Sequence, residues 1–138
     1  MKKLAIVAFA LVLAMTFVGC GVTDARVVGT WDYVYAYDRN SGDPLEATRF
    51  EFTKEGSVTT WDGTYDAEGV LVKKTANTPK TGTWLVINNE IIEIEDQSAS
   101  YNGKWIVEFS GLTEMKWTNK KDGRVVPLVK VTKKTEAE

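Results

Sequence analysis

The sequence predicts an all-β fold: a single antiparallel up-and-down barrel of about eight or nine strands, preceded by a signal peptide. Three observations carry this prediction. From Val27 onward, apolar and polar residues alternate with a period of two. Helical spacing never persists for more than a turn. Gly, Asn-Gly and Asp-Gly turn signals punctuate the chain roughly every 8–12 residues. Short strands joined by tight turns suit a meander, and closing the meander into a barrel removes the unpaired edges that invite aggregation. An immunoglobulin-like sandwich is the main rival. It is disfavoured by the missing Cys pair and by the many hairpin-length connections.

The expected strands run in order. Residues 28–37 end at the turn-forming stretch Asp38–Pro44, and 47–53 alternate Phe50 and Phe52 against Arg49, Glu51 and Thr53. Lys54-Glu55-Gly56 turns into 57–61, where Asp62-Gly63 reads as a turn, and 70–74 follow Glu68-Gly69. Asn77–Lys80 breaks the chain before 81–87. Asn88-Asn89 is a two-residue type I′ hairpin candidate, because Asn tolerates positive φ. It leads into 90–95, and then 104–109, 113–118 and 124–132 complete the set. In the late strands Trp105, Val107 and Phe109 oppose Lys104 and Glu108, while Met115 and Trp117 oppose Glu114 and Lys116. One face therefore belongs to a core and the other to water. Pro127 lacks a ladder donor and belongs at a bulge or an edge.

The N-terminal residues follow a different rule. Lys2 and Lys3 precede an uncharged, mostly apolar run, Leu4 to Val18, which is shorter than the roughly 20 residues of a membrane-spanning helix. This is the pattern of a secretory signal. The exit Phe17-Val18-Gly19-Cys20 resembles the bacterial lipobox, which implies acylation of Cys20 as the new N-terminus and anchoring in the bacterial cell envelope, at the periplasmic face or the cell surface. The alternative is an uncleaved anchor helix, or ordinary secretion with an incidental Cys. Cys20 is the only cysteine, so a secreted domain would otherwise carry an unpaired thiol. The chain then divides into a signal peptide (1–19), a lipid-anchored tether (20–26), the barrel (27–133) and a frayed tail (134–138).

Loss of Lys2 and Lys3 takes the basic residues from 17 to 15 against 19 acidic, a balance of −4. An acidic balance argues against nucleic acid, which calls for a basic face. The sequence contains no His, and acylation consumes the only thiol, so Ser-His-Asp and Cys-His devices and the usual zinc ligand sets are absent. Asp62, Asp66 and Glu68 offer oxygen ligands near one turn but lack EF-hand spacing. Neither a metal nor a cofactor is expected, and the protein reads as a non-enzyme.

Gly29-Thr30-Trp31, opening the first strand, is the G-x-W pattern of the lipocalin and calycin group. The segments Arg49–Val58, Thr81–Val86, Leu112–Trp117 and Val125–Lys130 extend the likeness, and together they resemble the lipocalin-like domains of small bacterial lipoproteins. The resemblance implies an eight-stranded barrel around a central cavity. It also implies that Gly29 and Trp31 close one end, with a basic residue from late in the chain covering the Trp. Lys130, Lys133 and Arg124 are all candidates for that cover.

A barrel of this size is either filled by its own side chains or holds one small ligand. Trp31, Tyr33, Tyr35 and Tyr37 share one face of the first strand. Turned inward, they fill much of the interior, and turned outward they make an aromatic docking stripe. Two functions follow. In one, a lipid-anchored module binds a small apolar or aromatic ligand through Tyr33, Tyr35, Tyr37, Trp84, Trp105 and Trp117. In the other, a filled barrel serves as a structural or interaction component and meets an envelope protein partner.

Overall fold

In a computed structural model of the chain, residues 22–75, 78–98 and 100–131 are described. The expected signal peptide (1–19), Cys20, Lys133 and the expected frayed tail (134–138) lie outside them. A short helix, α1 (Asp24–Val27), is followed by nine strands: β1 (Gly29–Tyr37), β2 (Pro44–Phe52), β3 (Ser57–Tyr65), β4 (Leu71–Lys73), β5 (Lys80–Ile87), β6 (Ile91–Glu95), β7 (Gly103–Ser110), β8 (Glu114–Asn119) and β9 (Val125–Lys130). Every pairing is antiparallel, in the order β2-β1-β9-β8-β7-β6-β5-β3, and β2 pairs with β3 to close the ring. The fold is thus a closed eight-stranded barrel, with β4 as an extra short strand beside β3.

Local chemistry explains most of the turns. Asn88 and Asn89 have φ of 53° and 59°, and the Glu90 N–H donates to the Ile87 carbonyl, which closes the expected two-residue hairpin. Asp62-Gly63 is not a turn. Strand β3 runs through it to Tyr65, and the chain reverses at Asp66–Gly69, where Asp66 Oδ1 accepts the Glu68 and Val70 N–H groups. The glycine at 63 answers a packing need instead. A Cβ there would lie 2.7 Å from Leu71 Cγ and 2.7 Å from the Val72 carbonyl, so β4 could not approach. Pro127 sits in β9 beyond the two residue pairs that join this strand to β1, Trp31 with Lys130 and Asp32 with Val129. On that side β9 is in effect an edge, where Pro is tolerated.

The strands place an aromatic cluster inside the ring. Trp31, Phe50, Trp105 and Trp117 are fully buried, and Phe52 and Trp84 nearly so. Phe50 meets Trp117 edge-on at 5.2 Å, and Phe52 meets Trp84 at 5.3 Å. Val58, Ile92, Ile94, Val107, Met115, Val126 and Leu128 pack with them in the core. Val22 and Val27 belong to it as well, so the stretch from Val22 to Arg26, expected as a tether, is packed against one end of the barrel. There the Trp31 indole N–H donates to the Val27 carbonyl at 2.9 Å.

Alternation turns Asp32, Arg49, Trp61 and Tyr65 outward, yet Asp32 and Arg49 are only 5% exposed. Arg49 Nε and Nη2 donate to the two Asp32 carboxylate oxygens at 2.7 and 2.9 Å, and the Tyr65 hydroxyl donates to Oδ2 at 2.8 Å. The Trp61 ring lies 5.4 Å from the guanidinium. Position 49 therefore faces outward as expected, but it is paired rather than solvated. A buried pair of this kind is costly to break, because either survivor is left as an uncompensated charge.

Burial and the neighbouring Asp32 charge raise the Tyr65 phenol well above its ordinary pKa. The native state keeps this proton while the unfolded chain releases it above about pH 10. Stability from this group is therefore complete below that pH and falls as the pH rises further. Chemical denaturation of Tyr65→Phe should show about 1.5–3 kcal/mol less stability near pH 7 and a shallower alkaline decline than the parent. Parallel alkaline profiles would contradict the assignment.

Candidate functional site

Chain direction gives the barrel two unlike ends. At one end, Gly29, with φ of 135°, begins β1 beneath the side chain of Lys130, and Lys130 Nζ lies 5.5 Å from the Trp31 ring. Among the three basic candidates, Lys130 therefore covers Trp31. Arg124 sits instead over Trp105 at 5.1 Å, and Lys133 lies outside the described residues. With Val22 and α1 packed beneath it, this end is closed.

The other end is the mouth. Along β1 the aromatic side chains pass from core to solvent. Trp31 is buried, Tyr33 is half-buried, Tyr35 is 41% exposed and Tyr37 is 58% exposed. The inward face of β2 changes character over the same height, from Phe52 and Phe50 to Thr48. On β3 it changes from Val58 to Thr60 and Asp62. The result is a depression of about 530 Å³, lined by Tyr33, Tyr35, Thr48, Thr60, Asp62 and Tyr101, with Lys80 and Ser98 on its wall.

Tyr101 forms the floor between mouth and core. Its ring stands edge-on to Phe50 at 4.9 Å, and its carbonyl accepts the Trp105 indole N–H at 2.9 Å. Burial raises its phenol pKa. The Thr48 hydroxyl donates to Asp62 Oδ1 at 2.6 Å, which places a carboxylate on the inner wall. At the rim, Lys74 Nζ donates to Glu46 Oε1 at 2.6 Å and to the Tyr35 hydroxyl at 3.1 Å. Those bonds lower the Glu46 pKa and raise that of Lys74.

One buried amide holds the wall in place. Gln97, 4% exposed, accepts from the Thr60 hydroxyl at 2.9 Å and donates through Nε2 to the Val58 and Lys80 carbonyls at 2.9 and 2.8 Å. The chain leaving β6 crosses directly over Gly82, where a Cβ would come within 2.4 Å of the Glu95 carbonyl. This explains the glycine in Thr81-Gly82-Thr83-Trp84. Gln97→Leu should cost about 1–3 kcal/mol by leaving those partners unpaired. It should also speed amide hydrogen exchange across residues 96–102 while β7 and β8 stay protected. Unchanged exchange would show that the loop is held by something else.

Of the residues expected to bind a ligand, the structure brings Tyr33 and Tyr35 to the mouth and leaves Tyr37 beyond the rim. Trp84, Trp105 and Trp117 lie in the packed core below it, so the indoles fill the barrel rather than line an opening. Asp62 and Asp66 part company, the first facing the interior and the second capping a turn. Sequence reading missed Thr48, Thr60, Tyr101 and Gln97, and took Asp62 only as a possible oxygen ligand beside a turn. The available signal was the inward phase of β2 and β3, where Thr replaces Phe and Val at two-residue spacing.

No protein-family model matches the chain, and no curated protein matches it. Among solved structures, the chain is similar to a lipoprotein YedD from Klebsiella pneumoniae subsp. pneumoniae. The identity is 15%, the match covers 83% of this chain and 80% of that one, and the TM-score is 0.45.

Proposed function

We propose that this protein is a non-catalytic, lipid-anchored module of the bacterial envelope that binds a small polar ligand of the saccharide class in the mouth of its barrel. The observation that carries this reading is the make-up of the mouth. Tyr33, Tyr35 and Tyr101 line it together with Asp62, Thr48, Thr60 and Lys80, around about 530 Å³. Ring faces suit the C–H face of a pyranose, and the carboxylate and hydroxyls suit its O–H groups. The aromatic core separates this mouth from the apolar groove at the closed end, so the ligand class read for the mouth is polar rather than the apolar or aromatic one that the sequence suggests.

The membrane address rests on Lys2, Lys3, the apolar run to Val18 and the Gly19-Cys20 junction. The absence of His from the whole sequence supports the non-catalytic reading. Lys130 over Trp31 supports a lipocalin-like kind of barrel. A second reading, a filled barrel that meets an envelope protein through its surface, is favoured by the same packed core and by the exposure of Tyr35 and Tyr37.

The test is a glycan array followed by NMR titration with the hits. Amide shifts should be confined to β1, β2 and β3 near the mouth and to residues 96–102. Tyr33→Ala and Asp62→Asn should each weaken binding by about tenfold, equivalent to ~1.4 kcal/mol. An empty array, or shifts that ignore the mouth, would remove this reading in favour of the second.

A further inference from the structure

The geometry points to the closed end of the barrel as the surface that lies against the lipid bilayer, with the mouth directed away from it. This rests on the reading of residues 1–20 as a membrane address and adds how the domain stands on that membrane. The decisive feature is how the chain enters the fold. Val22 is 1% exposed, its N–H donates to the Asn89 carbonyl at 2.8 Å, and Val27 is fully buried below Trp31. Two extended residues span at most ~7 Å, so Cys20 lies within that reach of Val22. On the lipid-anchor reading, so short a reach holds the end that contains Val22 at the surface that holds the anchor.

The same end carries side chains that a bilayer surface accepts. Leu112, at the tip of the β7–β8 hairpin, is 74% exposed, the highest value among the exposed large apolar side chains of the described residues. Beside it, Arg26 donates to the Gly111 carbonyl at 3.4 Å and lies 4.0 Å from the Phe109 ring centroid. A groove of about 1130 Å³ runs from this tip up to the core, lined in part by Val22, Arg26, Leu112, Met115 and Leu128. An apolar tip next to a guanidinium suits the boundary between acyl chains and phosphate headgroups, where the tip inserts and the cation stays at headgroup level. The loops at the far end, Asp38–Asp43, Asp66–Gly69 and Lys120–Gly123, are polar and exposed. With the closed end down, the Tyr33–Asp62 depression opens toward the solvent of its compartment.

The test uses the full chain purified from membranes and reconstituted in phosphatidylethanolamine–phosphatidylglycerol vesicles. A nitroxide is carried at Leu112→Cys in one sample and at Lys121→Cys in another. Reconstitution should cost the label at 112 its access to a water-soluble nickel chelate while raising its access to oxygen. The label at 121, in the β8–β9 loop of the mouth, should keep both values. Equal chelate access at the two sites, or loss at 121 alone, would overturn the proposed orientation. Dipolar broadening between labels at 112 that persists at high lipid dilution would assign this face to a second copy and would also overturn it. Intact mass separates the two levels of the argument. A diacylglyceryl adduct with unchanged labels refutes the orientation alone. A chain with neither lipid nor residues 1–19, which fails to float with the vesicles, refutes the membrane address and the orientation with it.

Discussion

The interior of an eight-stranded barrel offers a limited volume, and here the contact between Phe50 and Trp117 sits at the middle of an aromatic cluster within it. Trp117 also faces Trp105 at 5.5 Å and Phe52 at 5.9 Å, and Phe50 and Phe52 stack at 6.2 Å. Burying one such ring removes roughly 150–250 Å² from water, or about 4–6 kcal/mol at ~25 cal/mol/Å². Rings of this size contributed from β2, β5, β7 and β8 tie those strands together and determine how far the solid core extends. Above it the inward faces of β1, β2 and β3 carry Tyr, Thr and Asp, and that change of side chain creates the mouth.

Closure of the ring depends on a second device. Strands β1 and β9 share only two residue pairs, so backbone hydrogen bonds alone make this a short seam. Side chains on the inner face of β1 reinforce that seam, while those on its outer face tie β1 to β2 and β3. Inside, Lys130 lies over Trp31, and Trp31 holds α1 through the Val27 carbonyl. Outside, Asp32 is clamped by Arg49 from β2 and Tyr65 from β3, under the Trp61 ring. The first strand is thereby locked to both of its neighbours and to the N-terminal segment, which keeps one end of the barrel shut. The buried carboxylate–guanidinium pair contributes registry as much as stability, since each charge is satisfied in one alignment of β1 with β2.

Much of this was legible in the residues. Period-two alternation and turn chemistry gave the strand order, the Asn88-Asn89 hairpin and the inward faces of β7 and β8, because those signals are local. The aromatic first strand was legible only in part. Its residues share a face, but alternation cannot say where along the barrel axis the core stops, and so Tyr35 and Tyr37 look equivalent to Trp31. Gly63 and Gly82 misled or stayed silent for a related reason: each is small because another strand or crossing chain lies against it, a long-range cause with a short-range signature. Alternation placed Arg49 opposite Phe50 and Phe52 but could not show its pairing, since its partner is 17 positions away in sequence. The wall formed by Gln97 and the floor formed by Tyr101 lie in a loop whose position only the closed ring defines.

Side chains fill the barrel just below Tyr101, and the proposed ligand therefore meets a polar mouth and not an apolar cavity inside the ring. Titration with N-phenyl-1-naphthylamine, whose emission rises when it enters an apolar cavity, tests this most directly. With the fold intact, no saturable enhancement is expected beyond that removed by Leu112→Asp, which blocks the apolar groove at the closed end. Saturable enhancement that a fatty acid displaces and that survives Leu112→Asp would show an open apolar interior and contradict this.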